Sequence, residues 1–314
     1  MIFRRRLSLL TLQCVFLLAP PATATSQVLT FVGSDTMSRL ITAWGEEFRQ
    51  KFPDVVVDIQ VTGSAAAPPA LAERVANFGV MSRPFGDGEL VDFIRRQGFM
   101  PEGMVVARDS LAVIVNHQNP VLSLSLEQLD RIFSQGRLCS GLPSFSHWHQ
   151  IGSGSLDIKE GGSNRDRPIA PLGRTAVSGS YGFFKNTVLC GGDFHPRVAE
   201  LPGFAAIVRA VSQDSGAIGY VGSGFVDSSV KAVAIESRID GLQTKDSSSS
   251  ASQPSPLKRD LYLYLAVAPG GAGSVAECAF LRFITSTAGR EILIEQGFSP
   301  GEAEASGVIE NVCP

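Results

Sequence analysis

The sequence predicts an α/β protein of two doubly wound lobes joined by two crossovers. Three observations carry this reading. Residues 28–83 repeat a rhythm of short apolar run, small polar turn and helical pattern, which is the grammar of a parallel sheet with helices on its faces. Two apolar segments, 104–116 and 261–267, frame a long middle portion, so the first lobe is discontinuous and the second is inserted into it. The length, 314 residues, is enough for two domains, each with its own core. Composition agrees: 44% apolar and 18% charged residues are ordinary globular usage and exclude global disorder, and 32 glycines fit a chain with many tight turns. A formal charge of −3 excludes a generally basic nucleic-acid surface but not a local anion site built from amides and hydroxyls.

The chain opens on a secretory signal pattern. Arg4-Arg5-Arg6 form the charged region, Leu7 to Leu18 the apolar region and Ala22-Thr23-Ala24 the cleavage site. The apolar run is shorter than the roughly 20 residues a membrane span needs. Gln13 is a poor fit for the small residue that precedes a lipoprotein cysteine, here Cys14. Residues 1–24 are therefore expected to be removed and the mature protein exported to a periplasm.

Residues 28–33 (VLTFVG) read as the first strand. Ser34-Asp35-Thr36 follow, then a helix with Met37, Leu40, Ile41, Trp44 and Phe48 on one face, closed by Pro53. Residues 55–61 (VVVDIQV) form the second strand. Gly63-Ser64 and an alanine-rich segment come next, in which Pro68 and Pro69 are tolerable only within a first helical turn. Residues 77–83 (NFGVMSR) are a third short strand ending in a polar turn. In doubly wound sheets ligands bind beyond the carboxyl ends of the strands, where all three turns lie.

Residues 104–116 carry two apolar runs split by Arg108-Asp109, the expected first crossover. Ser125 and Gln128 form a capping box ahead of Leu129, Ile132 and Phe133. Residues 135–170 read as loop. His147 and His149 within it have no third ligand at suitable spacing, so no metal is expected.

The stretch Leu172–Phe184 (LGRTAVSGSYGFF) is the one around which the chain is organised. It sets Arg174 four residues before Ser178-Gly179-Ser180, which opens an aromatic helix. Ser178 is a good N-cap, and Gly179 lets a ligand approach the backbone. First-turn amides have no intrahelical acceptor and lie at the positive end of the dipole. Two hydroxyls add neutral donors, and Arg174 adds a planar fork suited to an oxyanion. A capped surface helix with a solvated arginine would read the same. The recurrence of similar strand-to-helix junctions in the first lobe favours the anion site.

A helix near 204–213 and strands at 217–221 and 230–235 follow. Residues 241–257 are polar and of low complexity, expected as a mobile loop. Leu261 to Val267 is the return crossover, and helices near 275–286 and 288–296 complete the first lobe. On this reading lobe I comprises 25–108 and 261–314, and lobe II comprises 109–260. Beyond the leader four cysteines remain, Cys139, Cys190, Cys278 and Cys313. An even number in an exported chain reads as disulfides, with three possible connectivities, and there is no close Cys-x-x-Cys pair to suggest a metal. Cys139–Cys190 and Cys278–Cys313 are favoured because each pair falls within one lobe.

Taken together, GSDTM (33–37), TGSAAA (62–67), NFGVMSRP (77–84), LAVIVNHQNP (111–120), GRTAVSGSYGFFK (173–185), GAIGYVG (216–222) and RDLYLYL (259–265) resemble the phosphate-binding proteins of ABC-type phosphate uptake systems. The resemblance runs through nearly the whole mature chain, in order. It implies a type II periplasmic binding protein fold, two lobes closing on a ligand through a hinge, with inorganic phosphate as ligand and an ABC-type membrane permease as partner. It also implies that Thr36 and the Met37 amide supply first-turn donors, Ser64 a second hydroxyl, and Arg174, Ser178, Gly179 and Ser180 the lobe II cluster. Cys139 and Cys190 sit where a subset of the family carries cysteines. The chain departs from the pattern on the third turn. Well-known members place there an aspartate that accepts the proton of hydrogen phosphate and so separates phosphate from sulfate; here Ser82 occupies the position, followed by Arg83. Asp35 in the first turn is the candidate replacement.

Two other classes compete. In an exported phosphate ester hydrolase Ser178 or Ser180 would be the nucleophile. However, none of His117, His147, His149 and His195 lies in a triad motif, and neither GSGS (152–155) nor VSGS (177–180) is the Gly-x-Ser-x-Gly elbow. An exported interaction or adhesion protein on the same fold has only the polar 241–257 loop in its support. The expectation is a monomeric, non-enzymatic binding protein with no cofactor and no nucleic-acid partner.

Overall fold

In the computed structural model of the protein the described residues are 27–151, 167–236, 255–301 and 305–313. The leader at 1–24, the GSGS at 152–155 and nearly all of the 241–257 loop lie outside them. The chain starts with β1 (Gln27–Gly33), α1 (Ser38–Lys51), β2 (Val55–Gln60), α2 (Ala67–Ala72), β3 (Phe78–Met81) and α3 (Asp87–Gln97). β1 pairs in parallel with both β2 and β3. α1 buries Leu40, Ile41, Trp44 and Phe48 along one stripe, and the Trp44 indole N–H finds the Gly289 carbonyl at 2.8 Å. α2 accommodates Pro68 and Pro69 because the amides they lack would have had no acceptor in a first turn.

Next comes β4 (Glu102–Val115), which joins the two halves of the molecule. Its first part pairs antiparallel with Lys258–Leu265 near the end of the chain, and its last five residues, Leu111–Val115, pair with strands of the second half. Arg108-Asp109 does not break this strand. The opposing strand presents Asp260 and Arg259 at the facing positions, so each charge meets its opposite across the ladder.

The second half contains β5 (Ser123–Ser125), α4 (Leu126–Phe133), β6 (Ala170–Arg174), α5 (Gly179–Val188), β7 (Ala199–Leu201), α6 (Phe204–Gln213), β8 (Ala217–Gly222) and β9 (Lys231–Glu236). α4 starts at the capping box read from the sequence: Gln128 N donates to Ser125 Oγ at 3.1 Å and Ser125 N to Gln128 Oε1 at 2.9 Å. The chain then returns through β10 (Lys258–Leu265) and ends with α7 (Val275–Thr285), α8 (Thr287–Glu295), β11 (Ser299–Pro300) and α9 (Ala305–Val312).

The strands run β2-β1-β3-β10-β4-β8-β6-β7 across the molecule, with β6 parallel to β7 and β8. Separate buried clusters sit on the two sides of β4. One gathers Phe31, Trp44, Phe48, Phe78 and Phe280; the other gathers Val113, Phe133, Phe184 and Tyr220. The architecture is α/β with two lobes, each around its own core. Disulfides join Cys139 to Cys190 and Cys278 to Cys313, each with its Cα atoms 5.4 Å apart. The first ties the loop after α4 to the end of α5; the second ties α7 to the end of α9. Among the described residues no helix is long and apolar enough to cross a membrane.

Candidate functional site

The site is assembled from strand ends. β1 ends at Gly33, where φ is +138° and a Cβ would stand 2.0 Å from the Val80 carbonyl oxygen, so only glycine fits. The chain then makes one tight turn over Asp35–Met37, with Thr36 and Met37 buried. The Met37 amide is turned back onto Ser34 O at 3.2 Å. β2 leads to Gly63 and a second tight turn, Ser64–Ala66, and β3 leads to Ser82. Ser34, Ser64 and Ser82 are all fully buried and form one row: Ser34 Oγ donates to Ser82 Oγ at 3.1 Å, Ser64 and Ser82 hydroxyls lie 3.3 Å apart, and Ser82 N donates to Ser64 Oγ at 3.0 Å.

The second lobe meets this row with the start of α5. Ser178 Oγ accepts from Ser180 N at 3.2 Å and caps the helix. Gly179 is in close contact with the first lobe, since a Cβ there would stand 2.2 Å from Ser64 Oγ and 2.3 Å from Ser82 Oγ. Ser180 Oγ lies 3.5 Å from Thr36 Oγ1, and Ala65 N donates to Val177 O at 3.2 Å. The lobes are therefore closed on one another at this point. Arg39 of α1 adds a latch further out, donating to Gly224 O at 3.1 Å and lying over the Phe225 ring.

Arg174 ends β6 and is 1% exposed. Its Nη2 donates to Asp35 Oδ2 at 2.6 Å and to Pro202 O at 2.9 Å, and its guanidinium lies 4.8 Å from the centre of the Phe204 ring. Nε and Nη1 are buried without a partner, as is Asp35 Oδ1. The Arg174 backbone N–H donates to the Tyr220 hydroxyl at 3.2 Å. Tyr220 is fully buried, stacked on Phe184 with ring centres 4.0 Å apart. Burial pushes its phenol well above the ordinary range, so it stays neutral and holds the end of β6 as a dipole, not as a charge.

The structure thus brings Asp35, Thr36, Met37, Ser64, Ser82, Arg174, Ser178, Gly179 and Ser180 to one interlobe seam. Arg83 is placed differently. Its Nη1 and Nη2 donate to the two carboxylate oxygens of Glu89 at 2.7 and 2.6 Å, and Nη1 also to Pro84 O, while its stem packs beside Gly182 of α5. Two residues not among the expected site residues, Arg259 and Asp109, complete the seam. Arg259 donates through Nε and Nη2 to both oxygens of Asp109, through Nη1 to Ser180 Oγ at 2.8 Å, and through Nη2 to Thr36 Oγ1 at 3.4 Å. The available signal was a charge in each of two apolar strands, since a charge that must be buried there needs a partner.

The chemistry of the seam is donation to an anion: hydroxyls, a helix N-terminus and a buried guanidinium with two unengaged nitrogens. Of the two serines expected as nucleophiles in a hydrolase, Ser178 Oγ accepts from Ser180 N and Ser180 Oγ accepts from Arg259 Nη1, while His117 and His195 are bonded to Ser228 O and Arg197 N. Among the described residues no group of three or more His, Cys, Asp and Glu is arranged to hold a metal.

Comparison with known proteins agrees with this architecture. The model of the PBP superfamily domain matches residues 19–288. The phosphate-binding protein PstS of Pseudomonas aeruginosa is 38% identical over 286 residues, covering 91% of this chain and 86% of that protein. Protein SphX of Synechococcus elongatus is 24% identical over 90% of this chain and 80% of its own length. Among solved structures, an ABC-type phosphate transport receptor from Vibrio cholerae superposes with a TM-score of 0.64 at 24% identity, covering 87% of this chain and all of that one. A phosphate ABC transporter substrate-binding protein from Clostridium perfringens, solved with bound phosphate, gives 0.67 at 22% identity, covering 88% and 100%. The two structures share the fold; the identity to the Pseudomonas protein over most of both lengths carries the kinship. The chain belongs to the PBP superfamily and, within it, to the family of PstS-type phosphate-binding proteins.

Proposed function

We propose that the protein captures inorganic phosphate between its lobes and delivers it to an ABC-type permease, without chemistry on the ligand. One observation carries the reading. Arg174 is buried to 1% exposure, yet its Nε and Nη1 have no partner, while its Nη2 holds Asp35 of the turn that also carries Ser34 and Thr36. Leaving buried charged donors unmade is costly, and a small oxyanion satisfies them at once. Thr36, Ser64, Ser82, Ser178, Gly179 and Ser180 line the ligand; the Met37 amide is engaged with Ser34 O and the Arg83 charge is matched by Glu89, so neither of these two expected contacts is part of the proposed set. Asp35 has two roles: Oδ2 orients Arg174, and Oδ1, buried and unpartnered, accepts the proton that hydrogen phosphate carries and sulfate lacks.

Closure moves lobe II (109–260) against lobe I (25–108 and 261–314) about β4 and β10. The protein acts as a periplasmic monomer after loss of residues 1–24. Thermal denaturation of protein stripped of ligand tests this. Phosphate should raise the melting temperature in a concentration-dependent way, sulfate should not at equal concentration, and a model phosphate ester should remain intact. Turnover of the ester, or an equal response to both anions, would reject the reading.

A further inference from the structure

We propose that Arg259 is a positioning residue for the anion. Held by Asp109, it occupies the lone pairs of one hydroxyl from each lobe and thereby turns both hydroxyl protons toward the ligand. This rests on the phosphate-site reading above. Arg259 on β10 and Asp109 on β4 are direct partners in the strand register, at the level where the chain passes between the lobes. The pair is nearly dry, 5% and 9% exposed. Nε grips one carboxylate oxygen at 2.6 Å and Nη2 the other at 2.9 Å, which fixes the plane of the guanidinium. Fixed in that plane, Nη1 reaches Ser180 Oγ at 2.8 Å and Nη2 reaches Thr36 Oγ1 at 3.4 Å.

A guanidinium only donates, so both hydroxyls must accept from it. Each hydroxyl has a single proton, and with a cation on its lone-pair side that proton is directed away from Arg259. The two hydroxyls lie 3.5 Å apart, at the limit of hydrogen bonding, and at most one of their protons is used between them. An anion in the seam is the acceptor that uses both. Asp109 offsets the charge of Arg259, so the contribution is orientation and not an added net positive charge. Thr36 belongs to the first lobe and Ser180 to the second, so both contacts exist together only when the lobes are closed. Arg259 therefore also favours the closed state.

The test is calorimetric titration of the stripped full chain with inorganic phosphate. The proteins are the parent, Arg259→Lys, and the paired neutral variant Asp109→Leu with Arg259→Met, each with and without Ser180→Ala. Thermal denaturation without ligand serves as the fold control. Arg259→Lys keeps the ion pair but loses the fork, and should weaken phosphate by at least about 10-fold with little change in melting temperature. Ser180→Ala should cost about 10-fold in the parent but under about 3-fold once Arg259 is replaced, because an unoriented hydroxyl contributes less. The neutral pair should behave like Arg259→Lys, and it carries the same comparison if the lysine variant does not fold. Binding within about 2-fold of the parent, or an equal Ser180→Ala cost in every background, would reduce Arg259 to a structural ion pair. Failure of the parent to take up phosphate would remove this inference and the proposed function together; parental binding with additive variants would remove only this one.

Discussion

Replacing Arg174 by alanine should abolish tight phosphate binding while leaving the ligand-free fold close to intact. The magnitude follows from two nitrogens, Nε and Nη1, that are buried and unengaged in the absence of ligand. Hydrogen bonds to charged groups contribute about 1.5–3 kcal/mol each, so two of them amount to about 3–6 kcal/mol, or roughly 100-fold to 10,000-fold in Kd. The ligand-free protein has smaller changes. It loses one ion pair to a partly exposed Asp35, the hydrogen bond to Pro202 O and a contact over Phe204, and it is relieved of two unsatisfied buried donors. Arg174→Lys should recover only part of the affinity, since an ammonium cannot reproduce the fork. Calorimetry with phosphate on the three proteins measures this directly. A folded Arg174→Ala variant binding within about 10-fold of the parent would refute the reasoning and move the site elsewhere.

Asp35→Asn should weaken phosphate and relax the rejection of sulfate, because the Oδ1 acceptor and its negative charge disappear; the ratio of the two affinities, measured on both proteins, is the readout. Gly179→Ala should stop closure, since the new methyl meets Ser64 and Ser82 hydroxyls at 2.2 and 2.3 Å; loss of binding with an unchanged far-ultraviolet spectrum is expected. Removing Cys139–Cys190, which closes 51 residues, should cost about 4 kcal/mol by chain entropy alone, read from denaturant midpoints of the double serine variant; a change under about 1 kcal/mol would contradict it. Tyr220 ionises above its ordinary value of 10.0 because it is buried, so its contribution to stability is complete below pH 10.0 and declines as pH rises past it. Tyr220→Phe should flatten that alkaline decline, as followed by melting temperature against pH.

The lobe II half of the site was legible because its signals are local. A cap, a glycine and an arginine four residues upstream lie within one stretch, and local geometry turns them into a helix start beside a strand end. The capping box at Ser125 and the polar turn after β1 were legible for the same reason. What escaped depends on partners far along the chain. Arg108-Asp109 looked like a break between two apolar runs, but residues about 150 positions later neutralise both charges and the strand continues. Arg259 was hidden by the same distance, its meaning resting on Asp109, Thr36 and Ser180. α3 was not read from the sequence, and Phe93 is its one fully buried side chain. Asp35 was legible as a carboxylate in the right turn, but its bond to Arg174, 139 residues away, appears only in the folded chain.

The most direct test of the central claim is calorimetric titration of ligand-stripped protein with phosphate and, separately, with sulfate at the same pH and salt. The account predicts one phosphate per chain, bound tightly, with sulfate weaker by at least about 100-fold because it brings no proton for Asp35 to accept. No heat with phosphate, or indistinguishable curves for the two anions, would contradict it.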